Sequence, residues 1–352
     1  MEIEAKKPVG FACAYTPLPL INAAGLAHYR VFPDPASAGS AGGLLHENVC
    51  PHVKLILDRA LGGNLPPLAG MVFMNSCDAM RRLADGWRKA RPSDRVFLVD
   101  LPVRTDERSV AFFAGELERL ANALSEWSGT KRDNDLILRS ADLYNRLADK
   151  LAAARELAAA QRLEGGYGAL QELYNMAATN PVEVAHARVT EALKTAGKAG
   201  TVTLKGVPVH LFGNVMHDPG MIALLESCGA RIASEDLCTG SRMFQRIQIN
   251  REAVFTSMAD AILSRRPCAR TFDPLKPGKI GSDTAAEAKR NGAKGAICHI
   301  MKFCDPYLAR LPFISEALKK EGIPLLILEG DCSMRSMGQV RTRIEAFVEM
   351  LG

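Results

Sequence analysis

Several patterns that would identify a common kind of protein do not occur in this sequence. No apolar run approaches the roughly 18 residues of a membrane-spanning helix. Neither a GxGxxG nor a GxxxxGKS/T phosphate loop occurs, so we expect no direct nucleotide binding by this chain. A GxSxG nucleophile elbow and a CxxC pair are also missing, which excludes a serine hydrolase with that elbow, a zinc ribbon and a ferredoxin-type cluster run.

The composition is that of an ordinary globular protein. Of the 352 residues, 47% are hydrophobic and 24% are charged, and a chain of this length forms about two domains. The net charge is +5, from 44 basic and 39 acidic residues. Because no long basic run or basic–aromatic stripe is present, we expect no nucleic-acid binding. The small positive excess is compatible with an anionic small molecule.

Nine cysteines are too few for a disulfide scaffold in so long a chain, and an odd number cannot all pair. The first residues mix acidic and basic side chains and place two prolines in the apolar part, which is not the pattern of a signal peptide. We therefore expect a cytoplasmic protein with reduced thiols. Clustered cysteines in that compartment more often bind metal or carry out redox chemistry.

The first part of the chain alternates short apolar runs with amphipathic stretches. The apolar runs are VGFACAY, GMVFMN and RVFLVDLP, and helical patterns cover residues 47–61, 78–89 and 105–127. Short hydrophobic strands that alternate with helices of this length predict a parallel sheet covered on both faces.

Residues 133–196 are rich in Ala, Leu, Arg and Glu, and breaks at 165–166 and 180–181 predict three helices. The alternation then resumes, with strands GVPVHLFGN, ARIASED, GAKGAICHIM and IPLLILEGD and helices at 219–228, 307–320 and 338–351. The sequence therefore predicts an α/β protein with two similar doubly wound parallel-sheet domains, residues 1–132 and 199–352. A helical segment at 133–198 joins them.

Ligands of open α/β sheets bind beyond the carboxyl ends of strands, and this rule separates the cysteines. Cys50, Cys77 and Cys304 lie in the turns HENVCP, NSCD and KFCDP, which open helices or follow strands. Cys238 lies in the turn DLCTG, and Cys332 follows a predicted strand. The other four are predicted to lie in strands, a helix or a loop: Cys13, Cys298, Cys228 and Cys268.

Thiols at helix N-termini are easily ionised, because the terminal amides favour the thiolate that ligates metal. Cys50, Cys77 and Cys304 meet this condition, and the alternative for each is a small buried apolar residue. Any metal would be held by ligands from distant segments.

Other polar residues near these turns have two interpretations. Three histidines near the candidate thiols are either part of a site or ordinary surface and core residues: His46, His52 and His299. Four carboxylates end predicted strands: Asp100, Asp236, Glu329 and Asp331. Each carboxylate acts in a site or caps a helix.

Seven segments occur together in a characteristic order. They are ENVCP, NSCD with the following RL, the DLP of FLVDLP, DLCTGSR, KFCDP, LEGD and GQVRTRIEAFVEML. The ordered set, over about residues 10–351, resembles the 2-hydroxyacyl-CoA dehydratase family, which is similar to benzoyl-CoA reductase subunits. Each short segment is weak, whereas the ordered set is specific.

The resemblance implies two α/β domains with an iron–sulfur cluster in the crevice between them. Carried over by motif, the cluster ligands are Cys50, Cys77 and Cys304, and Cys238 is a neighbour that is not counted as a ligand. Three thiolates on a 4Fe-4S cluster leave one iron open, as a Lewis-acid site needs.

The resemblance also implies an acyl-CoA substrate and an ATP-dependent iron–sulfur activator protein that supplies one electron. The cluster passes this electron to the thioester, whose ketyl radical anion expels the 2-hydroxyl group, and the electron is recovered after a C3 proton is lost. Because the activator consumes the ATP, this chain needs no phosphate loop.

Three roles are compatible with the sequence. The leading one is an iron–sulfur subunit of a 2-hydroxyacyl-CoA dehydratase-type enzyme, a hydro-lyase. The alternatives are a subunit of an ATP-driven reductase, either benzoyl-CoA reductase-like or a homodimer with a double-cubane cluster, and an electron-relay protein without its own substrate. The partner is accordingly a paralogous second subunit or a second copy.

Two features leave the comparison with the family incomplete. The segment TPLPL at 16–20 lacks the acidic residue that often follows this proline in relatives. Asp305, Glu329 and Asp331 either orient the cluster turn or cap helices, and no residue is assigned as the base for the C3 proton.

Overall fold

The computed structural model describes residues 7–37, 39–196, 204–331 and 337–352. The strands in these ranges form two four-stranded parallel sheets. The first sheet contains β1 (Val9–Phe11), β2 (His28–Arg30), β3 (Gly70–Met74) and β4 (Val96–Val99). The second contains β5 (Val207–Gly213), β6 (Ala230–Asp236), β7 (Gly295–Met301) and β8 (Leu325–Gly330).

The helices of the described ranges follow the strand–helix alternation. They are α1 (Leu18–Ala23), α2 (Pro51–Leu61), α3 (Asp78–Ala90), α4 (Glu107–Ser128), α5 (Asn134–Ala159), α6 (Gly166–Thr179), α7 (Val182–Ala196), α8 (Pro219–Ser227), α9 (Val254–Ser264), α10 (Lys279–Arg290), α11 (Asp305–Lys320) and α12 (Met337–Leu351). None of these helices combines the length and the apolar character that crossing a membrane would require.

The two sheets have the same strand order. The first runs β2-β1-β3-β4 and the second β6-β5-β7-β8, so in each the first strand in sequence lies between the second and the third. The chain changes winding direction between the first and third strands, and in such folds this switch point is where ligands bind. The prediction of two similar parallel-sheet α/β domains is confirmed.

Each sheet belongs to one compact unit. Unit 1 comprises Met1–Ala148, Ala177–Val184 and Gln245–Thr271, and unit 2 comprises Asp149–Met176, Ala185–Phe244 and Phe272–Gly352. The three helices predicted at 133–196 are present as α5, α6 and α7, and their residues are divided between the two units.

The central strands β3 and β7 lie in the hydrophobic cores of the two units. Every residue of β3 and of β7 is buried, as expected for strands covered on both faces. In unit 1, Trp87 of α3 packs its ring edge-on against Phe73 of β3, with ring centroids 5.6 Å apart. Trp87 lies near the C-terminal end of α3, so this packing holds that part of the helix against the sheet.

Candidate functional site

Cys77 and Cys304 occupy equivalent positions in the two units. Cys77 follows β3 and is the N-cap residue of α3, and Cys304 follows β7 and is the N-cap residue of α11. Because β3 and β7 are the third strands of sheets with the same order, both cysteines lie in the turn beside the switch point. The structure therefore has both residues at the strand ends that the sequence predicts, whereas their role as ligands stays a prediction.

Cys50 is the N-cap residue of α2, where Pro51 is the first helical residue. The sequence pattern placed the start of this helix at residue 47, which is wrong. Proline restricts the residue before it to extended backbone, and Cys50 accordingly has φ −44° and ψ 126°. Helix α2 packs against α3, where a Cβ on Gly86 would lie 3.0 Å from Leu57. Within unit 1, Cys50 and Cys77 thus begin two neighbouring helices.

Cys13 is a strand-end cysteine that the sequence pattern missed. The pattern placed it within a strand, but β1 ends at Phe11, and Cys13 lies in the following turn, where its carbonyl accepts from the Thr16 amide at 3.1 Å. The apolar run VGFACAY continues past the strand because Ala14 and Tyr15 are buried in that turn. An apolar run alone cannot separate a buried strand from a buried turn.

In unit 2, a single buried side chain joins three strand-end turns. The guanidinium of Arg242, a residue 1% exposed, donates from Nε to Asp236 Oδ1 at 3.0 Å and from Nη1 to the Gly213 carbonyl at 3.0 Å. It also donates to Cys238 Sγ at 3.1 Å and to the Tyr307 hydroxyl at 2.9 Å. Arg242 therefore connects the ends of β5 and β6 with the first turn of α11.

The DLCTG turn is wrapped around a buried carboxylate. Glu235 accepts hydrogen bonds from the amides of Leu237 at 3.0 Å and Ser241 at 2.9 Å, and burial raises the pKa of Glu235. A side chain on Gly240 would meet this carboxylate at 2.7 Å. The turn also places Cys238 beside β5, since its amide donates to the Asn214 carbonyl at 2.9 Å.

The environment of Cys304 contains the predicted neighbour Cys238. Burial raises the pKa of the Cys304 thiol, while hydrogen bonds from the Tyr307 backbone and the Asn214 side chain lower it. The charges of Cys238 and Asp305 raise it further. A bound metal ion would reverse this balance, because coordination deprotonates a thiol.

The residue before Cys304 has an unusual backbone conformation. Phe303 has φ +58°, a left-handed conformation that costs a bulky residue about 1–3 kcal/mol. The turn is closed by a hydrogen bond from the Cys304 amide to the Met301 carbonyl at 3.2 Å. Strain of this kind concentrates at functional sites.

The carboxylates at strand ends have different partners. Asp236 binds Arg242, and Asp100 accepts from the Asn75 side chain at 2.7 Å, whereas α4 is capped by Asp106. Asp331 lies 3.7 Å from the Lys302 ammonium, and Glu329 is exposed. Asp305 is the first residue of α11, directly after Cys304, where a negative charge favours the helix dipole.

The three histidines have different surroundings. His46 is exposed, and His52 is buried in α2, two residues after Cys50. His299 is buried in β7, and burial lowers its pKa to about 4. His299 is therefore a neutral core residue at physiological pH.

The donor set is of the right chemical kind for an iron–sulfur group. Soft thiolates are the ligands that such clusters select, and the eight cysteines of the described ranges form no disulfides. Cys332 lies outside the described residues. In the described part of the chain, no group of three or more His, Cys, Asp or Glu side chains is prearranged to hold a metal ion. The ligand set Cys50, Cys77 and Cys304 thus stays a prediction.

Three proteins illustrate what this chain is similar to. The (R)-phenyllactyl-CoA dehydratase beta subunit of Clostridium sporogenes is 24% identical over 354 residues, which cover 100% of this chain and 93% of that protein. The beta subunit of (R)-2-hydroxyglutaryl-CoA dehydratase from Acidaminococcus fermentans is 24% identical over 99% of this chain and 93% of its own. A benzoyl-CoA reductase subunit of Thauera aromatica is 20% identical over 99% of this chain and 91% of its own.

The family match covers nearly the whole chain. The family described as 2-hydroxyglutaryl-CoA dehydratase, D-component, matches residues 13–351. This span includes every strand of the two sheets except β1, and it includes the turns that carry Cys50, Cys77, Cys238 and Cys304. The resemblance drawn from the ordered motifs is thereby confirmed, and the chain belongs to the 2-hydroxyglutaryl-CoA dehydratase D-component family.

Proposed function

We propose that the chain is an iron–sulfur subunit of a 2-hydroxyacyl-CoA dehydratase-type enzyme, in which Cys50, Cys77 and Cys304 hold a 4Fe-4S cluster. Family membership supports this assignment, and the observation that carries the ligand set is the equivalent placement of Cys77 and Cys304 at helix caps beside the two switch points. When bound, such a cluster supplies an electron and an iron with an open coordination position to a thioester substrate.

The chain's own residues fix the turns that present these thiols. In unit 2, Arg242 joins the ends of β5 and β6 to Tyr307 in the first turn of α11. The Asn214 side chain binds the Cys304 thiol and accepts from the Met301 amide at 3.2 Å. Such bonds hold a ligand in place before the metal arrives, which lowers the entropic cost of binding.

The relatives support a proposal for the substrate and the partner subunit. Two of them are named for 2-hydroxyacyl-CoA thioesters and as beta subunits, so we propose the loss of water from such a thioester by this chain together with a paralogous second subunit. An ATP-dependent iron–sulfur activator would supply the electron. We place the complex in the cytoplasm, where the ligand thiols stay reduced.

Replacing any one proposed ligand is expected to remove most of the iron. The chain purified without oxygen should carry about four irons with broad iron–sulfur absorption. Cys50→Ala, Cys77→Ala and Cys304→Ala should each lose this absorption and more than about half of the iron, because a three-ligand site has no spare protein thiolate. Iron and sulfide analysis after anaerobic purification measures the effect.

Cys228→Ala is the matched control. Cys228 is buried, as Cys50 is, but it lies at the C-terminal end of α8, away from the strand-end turns, so this variant should keep its iron. Far-ultraviolet circular dichroism should show that all four variants are folded. Equal iron in the three ligand variants and the control would reject the ligand set, and no iron in the unaltered chain would reject the cluster.

A reductase subunit is the second candidate, because a benzoyl-CoA reductase subunit is also a relative. A third is a relay of electrons without its own substrate. Titration with acyl-CoA thioesters separates the relay from the enzymes: we expect saturable binding of a 2-hydroxyacyl-CoA, measured by calorimetry on the complex with its second subunit. Binding of benzoyl-CoA in its place would favour the reductase, and no binding of either thioester would favour the relay.

A further inference from the structure

Arg270 is an arginine whose side chain lies inside unit 1, at the end of the segment Gln245–Thr271. The residue is 9% exposed. Burying a guanidinium is unfavourable unless its N–H groups are hydrogen-bonded. The partners of these N–H groups therefore indicate what the side chain does.

All three nitrogens of Arg270 donate to backbone carbonyls in strand-end turns. Nε donates to the Ser76 carbonyl at 2.9 Å, Nη2 to the Leu101 carbonyl at 2.8 Å, and Nη1 to the Pro102 carbonyl. Ser76 directly precedes Cys77 after β3, and Leu101 and Pro102 follow the adjacent strand β4. One side chain thus ties the turn that carries Cys77 to the next turn of the same sheet edge.

The loop that carries Arg270 is itself attached to the turn after β1. The Tyr15 hydroxyl accepts from the Cys268 amide at 3.1 Å and lies 3.2 Å from the Thr271 hydroxyl. Arg265 donates to the Ala14 carbonyl at 2.9 Å and stacks on the Tyr15 ring. The Arg270 loop therefore reaches the turns after β1, β3 and β4, which include both sides of the unit 1 switch point.

The positive charge of Arg270 interacts with several cysteine thiols. Burial lowers the pKa of Arg270, whereas electrostatic interactions with Tyr15 and with the thiols of Cys268, Cys13 and Cys77 raise it. A guanidinium stays charged at any pH that a protein tolerates. The side chain therefore places a permanent cation beside the predicted ligand Cys77.

We propose that Arg270 is a positioning residue of the unit 1 site: it clamps the turn that presents Cys77 and supplies a buried positive charge beside this predicted ligand. The clamp follows from the hydrogen bonds alone. The effect of the charge rests on the proposed function, since it concerns the cluster that Cys77 would help to hold.

The two parts of the proposal have separate physical consequences. A planar guanidinium can donate to three carbonyls at once, and a lysine ammonium cannot reproduce this fork although it keeps the charge. The reduction potential of an iron–sulfur cluster depends on nearby charge. A cation favours the more negative, reduced form, so its removal lowers the potential.

Amide hydrogen exchange on the full chain without metal tests the clamp. Arg270→Lys and Arg270→Gln should each speed amide exchange in residues 75–78, 100, 101 and 103 by about tenfold or more, because these turns can then open without breaking hydrogen bonds to the guanidinium. Arg88→Gln is the control, since Arg88 lies further along α3, its side chain is 46% exposed and its partner Asp85 is outside the measured segments, and it should leave these rates unchanged. Unchanged rates in both Arg270 variants would overturn the clamp.

An anaerobic redox titration of the iron-loaded chain, followed by electron paramagnetic resonance, tests the charge. In Arg270→Gln the ratio of reduced to oxidised cluster at a fixed potential should fall about tenfold, a shift of about 59 mV for a one-electron couple. Arg270→Lys should stay within about twofold of the unaltered chain. An unchanged potential in Arg270→Gln would overturn the proposed effect of the charge. If the unaltered chain binds no iron, both this effect and the proposed function are overturned. The hydrogen-exchange experiment would still decide whether Arg270 clamps the turn.

Discussion

Replacing Arg242 by Met is expected to lower the free energy of unfolding by about 3–5 kcal/mol, because the change leaves a buried carboxylate without its cation. Asp236 lies 2.9 Å from Arg242 Nη2, and the two side chains are 11% and 1% exposed. The Asp236 carbonyl also loses its bond from Nη2 at 2.9 Å. The Gly213 carbonyl keeps one donor, the Tyr307 hydroxyl at 2.5 Å.

Urea unfolding of the full chain at neutral pH, followed by circular dichroism, measures this loss. Lys320→Met is the matched control in unit 2, since Lys320 pairs with Glu316 on the surface and the two side chains are 72% and 66% exposed. Exposed pairs of this kind contribute less than about 1 kcal/mol. Adding Asp236→Asn to Arg242→Met should recover part of the stability, because the unpaired charge is then absent. A loss in Arg242→Met as small as in the control would contradict the assigned role.

Arg242 and Arg270 perform related tasks in the two units. Each is a buried guanidinium that binds the turns at the carboxyl ends of neighbouring strands, and each lies close to cysteine sulfur. Turns at this edge carry polar backbone groups that the sheet does not pair, so buried donors are needed there. The same donors bring positive charge to the edge, which suits a site built from thiolates.

The positions of the predicted ligands could be read from the sequence because strand ends are visible in it. The apolar runs GMVFMN and GAKGAICHIM end just before Cys77 and Cys304, and β3 and β7 end at Met74 and Met301. Local backbone chemistry fixes these features, so local sequence patterns reveal them.

The two buried arginines could not be found in this way. The Arg270 side chain binds carbonyls that are 168 to 194 residues away in the sequence, and backbone carbonyls carry no residue-specific signal. An arginine in a loop is usually exposed, so neither Arg242 nor Arg270 stands out by type. Helices α9 and α10 also escaped prediction, because residues 245–290 show no alternation of apolar strands with helices.

The protein should lose stability steeply as the pH falls from about 6.5 towards 4, because His28 is buried in its neutral form. Burial lowers the pKa of His28 to about 4, partly opposed by the Ala177 carbonyl and by Glu183. His28 Nε2 lies 2.8 Å from that carbonyl and must donate to it, so Nδ1 accepts from the Tyr144 hydroxyl at 2.8 Å. An added proton on Nδ1 meets a donor in a site closed to water.

The sign of the effect follows from the difference between the two states. The histidine pKa of the unfolded chain is about 6.5, so below that value the unfolded state binds a proton that the folded state does not. Stability is complete above pH 6.5 and falls by about 2 kcal/mol at pH 5 for this one group. His299, whose pKa is also lowered to about 4 by burial, should add a similar loss.

Urea unfolding at pH 7, 6 and 5 tests this dependence. In His28→Gln the loss between pH 7 and pH 5 should be smaller by about 2 kcal/mol than in the unaltered chain, because one titrating group is removed. The variant itself should be less stable at pH 7, since glutamine cannot reproduce both ring hydrogen bonds. His46→Gln changes an exposed histidine and should leave the slope unaltered. If His28→Gln kept the full slope, protonation of this buried histidine would not be what destabilises the fold in acid.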